Sequence, residues 1–384
     1  MINLSSIDVT NKNLVIRVDM NVPLKNGNIL DATRIEACLP TIDYALKNNA
    51  NILLISHLGR PTEGNFEEKF SLMPVANHLS KIIKKSCELI DTPNSDTIFN
   101  SNCQVQLLEN IRFFHGEKTN SDELGYQLAN LGDVYVFDAF GTAHREQAST
   151  HSAIKQSKVA CAGLLLEKEN NFLGKVLDNY ENPYLAVIGG AKVSTKLELI
   201  KHINNVAENI IVGGGIANTF ICAAGYQVGK SLIEDSMIDF AKEILNEGKI
   251  LLPKKVITSD SFGGSNVKEK SIADIEDHEM ILDLKIENET HTIINSAKTI
   301  LWNGPMGVFE NELFEDGTKI LSQAISNSSA FSIAGGGETL SAINKYINLD
   351  DVSYCSTGGG AFLEFMEGKI LPSIKALNAK NTEE

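Results

Sequence analysis

Five times in the second half of this chain a short apolar run stops on a glycine cluster. The stops are Ile188-Gly189-Gly190, Val212-Gly213-Gly214-Gly215, Trp302-Asn303-Gly304-Pro305, Ala334-Gly335-Gly336-Gly337-Glu338-Thr339 and Ser356-Thr357-Gly358-Gly359-Gly360. Short runs that are apolar throughout, without polar alternation, read as strands buried on both faces, the habit of parallel sheets. A strand that ends in glycine and gives way to a helix exposes backbone N–H groups and the positive end of a helix dipole, a combination suited to anionic oxygens. One glycine cluster is a turn. Five at successive strand ends imply backbone approaching something that side chains would obstruct, and a nucleotide fits best. In the first of these stretches, residues 184–201, Leu197 and Ile200 take up helical spacing. Lys192 and Lys196 are then expected on one helix face, as point charges for mobile phosphates.

In the first half, strand ends carry arginine instead. The run at residues 13–18 leads into Asp19 and Asn21, and Asp31 offers a cap to a helix with Arg34 in its first turn, where a cation is unfavourable unless an anion is near. The run at 51–56 breaks at His57, Gly59, Arg60 and Pro61; the run at 104–108 leads to Arg112, and that at 134–137 to His144 and Arg145. Only five of the 34 basic residues are arginine (Arg17, Arg34, Arg60, Arg112 and Arg145), and none follows position 145. In a lysine-using chain these mark places where a planar, bidentate donor is needed. Parallel strands alternating with helices would bring the carboxyl ends together, where ligands of open α/β sheets collect.

The net charge of -15 argues against nucleic acid or an anionic membrane as partner, so positive charge for an anionic substrate must be local. No apolar run reaches the ~18 residues of a spanning helix and the start lacks an export signal, which points to the cytosol. The six scattered cysteines form no CxxC pair and are expected as buried free thiols. A length of 384 residues suggests two domains, with a helix at 164–177 followed by Pro183 as connector. Leu72, Val75, Leu79, Ile82 and Ile83 form a core stripe behind Ser71 as cap, with His78 off the stripe and solvated. Two strings are decoys. Residues 224–231, AGYQVGKS, resemble a Walker A loop but follow a helix rather than a strand, and GGGIAN at 213–218 places Asn218 where a dinucleotide fingerprint needs glycine or alanine.

The strings RVDMNVPL, TRIEACLPTI, SHLGRP, LLENIRF, DAFGTAHR, GGAKVSTK, GGGIANTF, WNGPMGVFE, GGGET and STGGGA, in that order from Arg17 to Ala361, resemble phosphoglycerate kinase. The resemblance implies two Rossmann-like, three-layer α/β domains with parallel sheets, joined by a helix and hinge. The first, 1–162, would bind 3-phosphoglycerate or 1,3-bisphosphoglycerate, with the tail 370–384 packing back on it. A linker helix would span 163–180, and 181–369 would bind ADP or ATP with Mg²⁺. Carried over motif by motif, Asp19, Asn21, Arg34, His57, Arg60, Arg112 and Arg145 would hold the phosphoglycerate. Lys192, Lys196, Gly213, Gly214, Asn303, Glu310, Gly336, Gly337, Glu338 and Thr339 would hold the nucleotide, Glu310 through the ribose and Glu338 through the metal. Gly358, Gly359 and Gly360 would open a helix toward the transferring phosphoryl group. Arg17 is expected to be structural. Met20, Phe114, His115 and Gln147 vary the family pattern without touching an assigned role, whereas Glu338 replaces the usual Asp.

What this implies is reversible phosphoryl transfer between 1,3-bisphosphoglycerate and ADP by a monomer, in line, in a cleft closed by hinge motion. The acceptor carboxylate, with a pKa of about 3 to 4, needs no general base. Lys192, Arg34, helix N-termini and Mg²⁺ would neutralise charge in flight. A kinase for another carboxylate would have little use for one histidine and four arginines on the acceptor side, and a solute-binding protein would carry an export signal.

Overall fold

The computed structural model describes residues 1–94, 96–264 and 266–380. The chain divides into two compact units, Met1–Asn171 together with the chain from Ile370 onward, and Phe172–Lys369. The division falls inside the helix Leu164–Leu177.

The strands of the first unit are β1 (Asn13–Val18), the ribbon β2 (Leu24–Lys25) and β3 (Asn28–Ile29), β4 (Asn51–Ile55), β5 (Cys87–Ile90), β6 (Val105–Leu108), β7 (Val134–Asp138) and β8 (Ala160–Ala162). Outside the ribbon they form one sheet, ordered β5-β6-β4-β1-β7-β8, with every pairing parallel. Chain order reverses around β1, which pairs with β4 on one side and β7 on the other. In an open parallel sheet such a reversal parts the crossover helices and leaves a crevice at the carboxyl ends. Leu14, Ile16 and Val18 of β1 are fully buried with Ile35, Ile42, Leu54, Leu79 and Val136, the apolar core that the uninterrupted runs required.

Caps fix the helix starts. Asp31 Oδ1 accepts from the backbone N–H of Thr33 at 2.8 Å and from its hydroxyl at 2.6 Å, opening the helix Thr33–Lys47. Ser71 does so for Met73–Ile83, accepting from Met73 N at 3.2 Å, but it shares the task with buried Glu109, which accepts from Leu72 N and from the Ser71 hydroxyl. His78 is half-buried rather than solvated, and its Nε2 is buried with no hydrogen-bond partner among the described residues. Only Cys38 and Cys161 are buried thiols; Cys87, Cys103, Cys222 and Cys355 are half-buried. The last described helix, Pro372–Lys380, belongs to the first unit: Ser373 N donates to Ala143 O at 3.1 Å and its hydroxyl to Thr150 O at 2.6 Å. Residues 381–384 of the expected tail lie outside the described residues.

The second unit contains β9 (Tyr184–Gly189), β10 (Asn209–Gly213), β11 (Ile250–Leu251), β12 (Lys255–Ser259), β13 (Lys268–Ser271), β14 (Met280–Leu284), β15 (Thr299–Asn303), β16 (Phe331–Gly335) and β17 (Tyr354–Ser356). Its parallel sheet runs β11-β10-β9-β15-β16-β17, with the reversal between β9 and β15. Helices Gly214–Ala223, Gly337–Tyr346 and Gly359–Met366 follow β10, β16 and β17 directly. A second sheet, the antiparallel β13-β12-β14, was not foreseen in the sequence. No helix among the described residues is long and apolar enough to cross a membrane.

Candidate active site

The first unit collects its cationic side chains around one carboxylate. Asp19 follows β1 and is 9% exposed; its Oδ2 accepts from Arg34 Nη1 at 3.0 Å and its Oδ1 from Asn21 N at 3.2 Å. Asn21 Oδ1 in turn accepts from Gly59 N at 2.9 Å, tying the loop after β1 to the loop after β4. Burial opposes ionisation of Asp19, but the neighbouring His57, then Arg34 and Arg17, and the Asn21 N–H outweigh it and hold the carboxyl below its usual range. His57, at the end of β4, is 2% exposed with Nδ1 3.8 Å from Asp19 Oδ1. Burial pushes its pKa well down, so the ring is neutral; Arg17 Nη2 stands 3.5 Å from Nδ1 and can only donate, which leaves the proton on Nε2. Arg112 donates to Gly59 O at 2.5 Å, and burial with the charges of Arg145 and Arg17 brings its pKa down to about 10. Burial likewise lowers Arg145, which feels Arg17, Arg60 and Arg34 as like charges. Arg60 is exposed. Cations crowded enough to depress one another gain by receiving an anion.

Arg17 stands behind this group, as expected of a structural residue. It is 1% exposed, donates to Ser149 Oγ at 2.9 Å and to the carbonyl of Val18, and Ser149 in turn donates to buried Glu117 at 2.7 Å. Glu117 and Asn110 were missed in the sequence. Asn110 donates to Leu58 O and Phe70 O and accepts from Arg112 N, fixing the loop that carries Arg112. Their positions beside arginine-bearing strand ends were the only available signal.

The second unit departs from expectation in two respects. The chain does not pass directly from β9 into a helix: Lys192 lies exposed in a loop before a short 3-10 turn, Ser194–Lys196, and the helix is Leu197–Val206. Lys192 and Lys196 therefore do not share a helix face. Glu234 anchors the loop by accepting from Ser194 N at 2.8 Å and from the Ser194 hydroxyl. Lys196 turns back to the sheet, donating to the last carbonyls of β9 and β15, that of Gly189 and that of Asn303 at 2.9 Å, so its ammonium sits at the reversal point. Burial lowers its pKa to about 8, with Glu338 opposing.

Secondly, the glycines have two distinct causes. A Cβ on Gly189 or Gly213 would come within 2.0 Å or 2.3 Å of Pro305 O, and one on Gly304 within 2.3 Å of Gly189 O, so neighbouring backbone dictates these. Gly337 and Gly359, at the starts of their helices, face open space. Gly336 has φ +96°, and a Cβ there would press on Asn303 Nδ2 at 3.0 Å. Asn303 Nδ2 donates to Gly335 O at 2.7 Å while its Oδ1 is buried with no partner among the described residues. Thr339 spends its hydroxyl on backbone, donating to Gly335 O and accepting from Gly304 N. Gly358 N donates to Ser356 Oγ at 3.1 Å, ahead of Gly359 and Gly360.

Beside the starts of the helices Gly214–Ala223 and Gly337–Tyr346 lies a cavity of about 550 Å³, walled by Gly190, Ala191, Gly214 and Gly215 on the parallel sheet's side and by Met280 to Leu284 of β14, with Leu232, Phe262 and Met306. Phe262 and Leu232 are 65% and 54% exposed. Glu310 and Glu338 line this cavity and also an adjoining depression with Phe309, Gly337, Ser341 and Lys345. An apolar slot flanked by helix N-termini, a lysine and acids suits a base and ribose with phosphates beyond.

An α/β unit with clustered arginines at its sheet's carboxyl ends, followed by one with a nucleotide-shaped cavity beside open helix N-termini, defines a small-molecule phosphotransferase. A family profile described as phosphoglycerate kinase matches residues 4–369. The chain is 49% identical to the phosphoglycerate kinase of a Psychrobacter species over 98% of each chain, and 47% identical to that of Vibrio campbellii over 99% of each. Among solved structures, phosphoglycerate kinase from Coxiella burnetii superposes with a TM-score of 0.92 at 44% identity over 99% of each chain. That from Pyrococcus horikoshii gives 0.83 at 30% identity over the whole of both. The chain belongs to the phosphoglycerate kinase family. Its reaction is the glycolytic transfer of a phosphoryl group between 1,3-bisphosphoglycerate and ADP, giving 3-phosphoglycerate and ATP.

Proposed function

We propose that the arginine cluster of the first unit binds the phosphoglycerate and that the cavity of the second binds the nucleotide. The observation that carries this is the crowding of charge in the first unit: Arg112 and Arg145 lie among further arginines with Asp19 and Glu117 as the neighbouring acids, and burial together with the like charges around them lowers both guanidinium pKa values, which a substrate with both carboxylate and phosphate relieves. Neutral His57 contributes an Nε2–H donor, and Asn21 positions the loop. In the nucleotide half, Gly213 packs against Pro305 and brings Gly214 to the cavity wall, Gly336 and Gly337 let the backbone turn close to the ligand, and Glu310 takes ribose hydroxyls. Lys196, Asn303 and the first turn at Glu338 and Thr339 face the phosphates. Lys192, in its exposed loop, Arg34 and the helix start at Gly358, Gly359 and Gly360 would each neutralise charge on the phosphoryl group in flight.

The residues present fit magnesium carried by a nucleotide. No group of three or more potential protein ligands occurs among the described residues, but magnesium is commonly held by one carboxylate, substrate phosphates and water. Glu338 is exposed at the cavity's edge, and no described hydrogen bond or ion pair engages its carboxylate. The N-cap of its helix is Gly336, so Glu338, in the first turn, is not the capping residue, which favours a ligand role. When bound, the ion supplies charge neutralisation between phosphate oxygens. We further propose that the protein is a monomer working in the cytosol.

Exposed positions test the two halves without disturbing the core. Arg60→Ala should weaken 3-phosphoglycerate binding and leave ADP binding within twofold, and Glu310→Ala should do the reverse in calorimetric titrations. If either variant weakened both ligands equally, the division of labour would be wrong.

A further inference from the structure

We infer that Cys87 and Cys103 form a modification site, a dithiol that hydrogen peroxide converts to an intramolecular disulfide. Their spacing along the chain does not mark them as a pair; the sheet brings them together. Cys87 opens β5 and is registered with Val105 of β6. It packs against the core that contains Val105 and Leu107, so its side chain lies on their face of the sheet. Cys103 stands two residues before Val105, and its sulfur is 3.2 Å from Ser86 O and 3.3 Å from Ser86 Oγ. Ser86 O belongs to the peptide that joins Ser86 to Cys87, which places the Cys103 sulfur within about 6 Å of the Cys87 Cα. Side chains at that range meet by rotation about χ1. The backbone on both sides is already held: Cys87 N donates to Ser80 Oγ at 2.9 Å, Cys103 N donates to Ser101 Oγ at 3.2 Å, and Cys103 Sγ is 3.1 Å from Val105 O.

The two thiols have different parts. Both are half-buried, but burial, with the Cys103 thiol adding to it, pushes Cys87 up to about 12, and a protonated sulfur is a poor nucleophile. Cys103 therefore meets the oxidant. Its thiolate attacks one peroxide oxygen, the O–O bond breaks, and the other oxygen takes a proton and leaves as water, so that Cys103 becomes a sulfenic acid. Cys87 then attacks the Cys103 sulfur, and its proton goes with the departing hydroxyl as a second water. The two sulfurs together give up two electrons and the peroxide takes them. A dithiol reductant reverses the bond and returns both thiols.

The test treats the folded, reduced protein with a few equivalents of hydrogen peroxide, blocks free thiols with iodoacetamide in denaturant and maps the peptides by mass spectrometry. A peptide pair joining Cys87 to Cys103, lighter by two hydrogens and cleaved by dithiothreitol, is expected, with the remaining cysteines alkylated. Cys87→Ser should instead accumulate sulfenic acid at Cys103, trapped by dimedone, and Cys103→Ser should form no link. Because the bond closes a loop around β5, the linked wild type should melt higher than the reduced protein by at least roughly 2 °C. Should a serine variant misfold, the wild-type map decides by itself. Sulfinic acid on either cysteine without a link, or links to Cys38, Cys161, Cys222 or Cys355 in comparable yield, would overturn the pairing. A linked protein that melts lower than the reduced one would show that the native fold does not hold the two sulfurs within bonding range, and would overturn it as well.

Discussion

Asp19 and Arg34 form an ion pair of 3.0 Å in which the acid is 11% exposed at its side chain and the arginine 36%. The buried partner fixes one edge of the guanidinium and leaves the remaining N–H groups free to engage a ligand. A lysine could keep the pair to Asp19 but would have no second edge to offer. Arg34→Lys and, independently, exposed Arg60→Lys should therefore raise the KM for 3-phosphoglycerate by roughly tenfold while that for ATP stays within about twofold. Equal effects on both substrates would make these residues structural.

Lys192 is exposed in its loop, so removing it leaves no cavity. Lys192→Ala should lower kcat by roughly 10²-fold, with ADP affinity changed only a few-fold and the melting temperature unaltered, because a mobile charge counts most where charge develops in the transition state. Abolished ADP binding in calorimetry would instead mark Lys192 as a ground-state ligand.

Lys196 gives a pH dependence whose sign is fixed by burial. Its folded pKa of about 8 lies below the unfolded value of 10.5, so the fold disfavours the charged form. That destabilisation is fully present below about pH 8 and is relieved as pH rises toward about 10.5. A bound phosphate acts the other way and restores the ammonium. ADP titrations at about pH 8.5 in buffers of different ionisation heat should thus show uptake of a large fraction of one proton, falling to near none at about pH 7. Uptake that persists in Lys196→Met would assign the proton to another group.

Glu338 is longer by one methylene than the Asp that the family resemblance leads one to expect, and in the proposed role a magnesium ion, which usually keeps several waters, would tolerate that difference. Glu338→Asp should remain active. Glu338→Gln should raise the Mg²⁺ concentration for half-maximal rate several-fold without altering 3-phosphoglycerate binding, since a neutral amide is a poorer ligand for a hard cation. An unchanged Mg²⁺ titration with reduced thermal stability would restore the capping role.

What the sequence by itself determined is local. Uninterrupted apolar runs read as strands buried on both faces, and those that end in arginine or glycine, from Asn13–Val18 to Tyr354–Ser356, lie in the two parallel sheets. The arginines that follow them collect around Asp19 because all parallel strands of a sheet end on the same side. What tertiary structure alone decided depends on which strands become neighbours. Lys196 leaves the expected helix face because β9 and β15, separated by more than a hundred residues of chain, place two carbonyls within its reach. Gly189 and Gly304 are glycines because each backbone lies against the other, a contact no local pattern encodes. The wall from Met280 to Leu284 reaches the second unit's cavity through the β13-β12-β14 sheet, whose pairing is likewise non-local. The Asn218 amide is oriented only because the chain returns at Leu232 to accept its hydrogen.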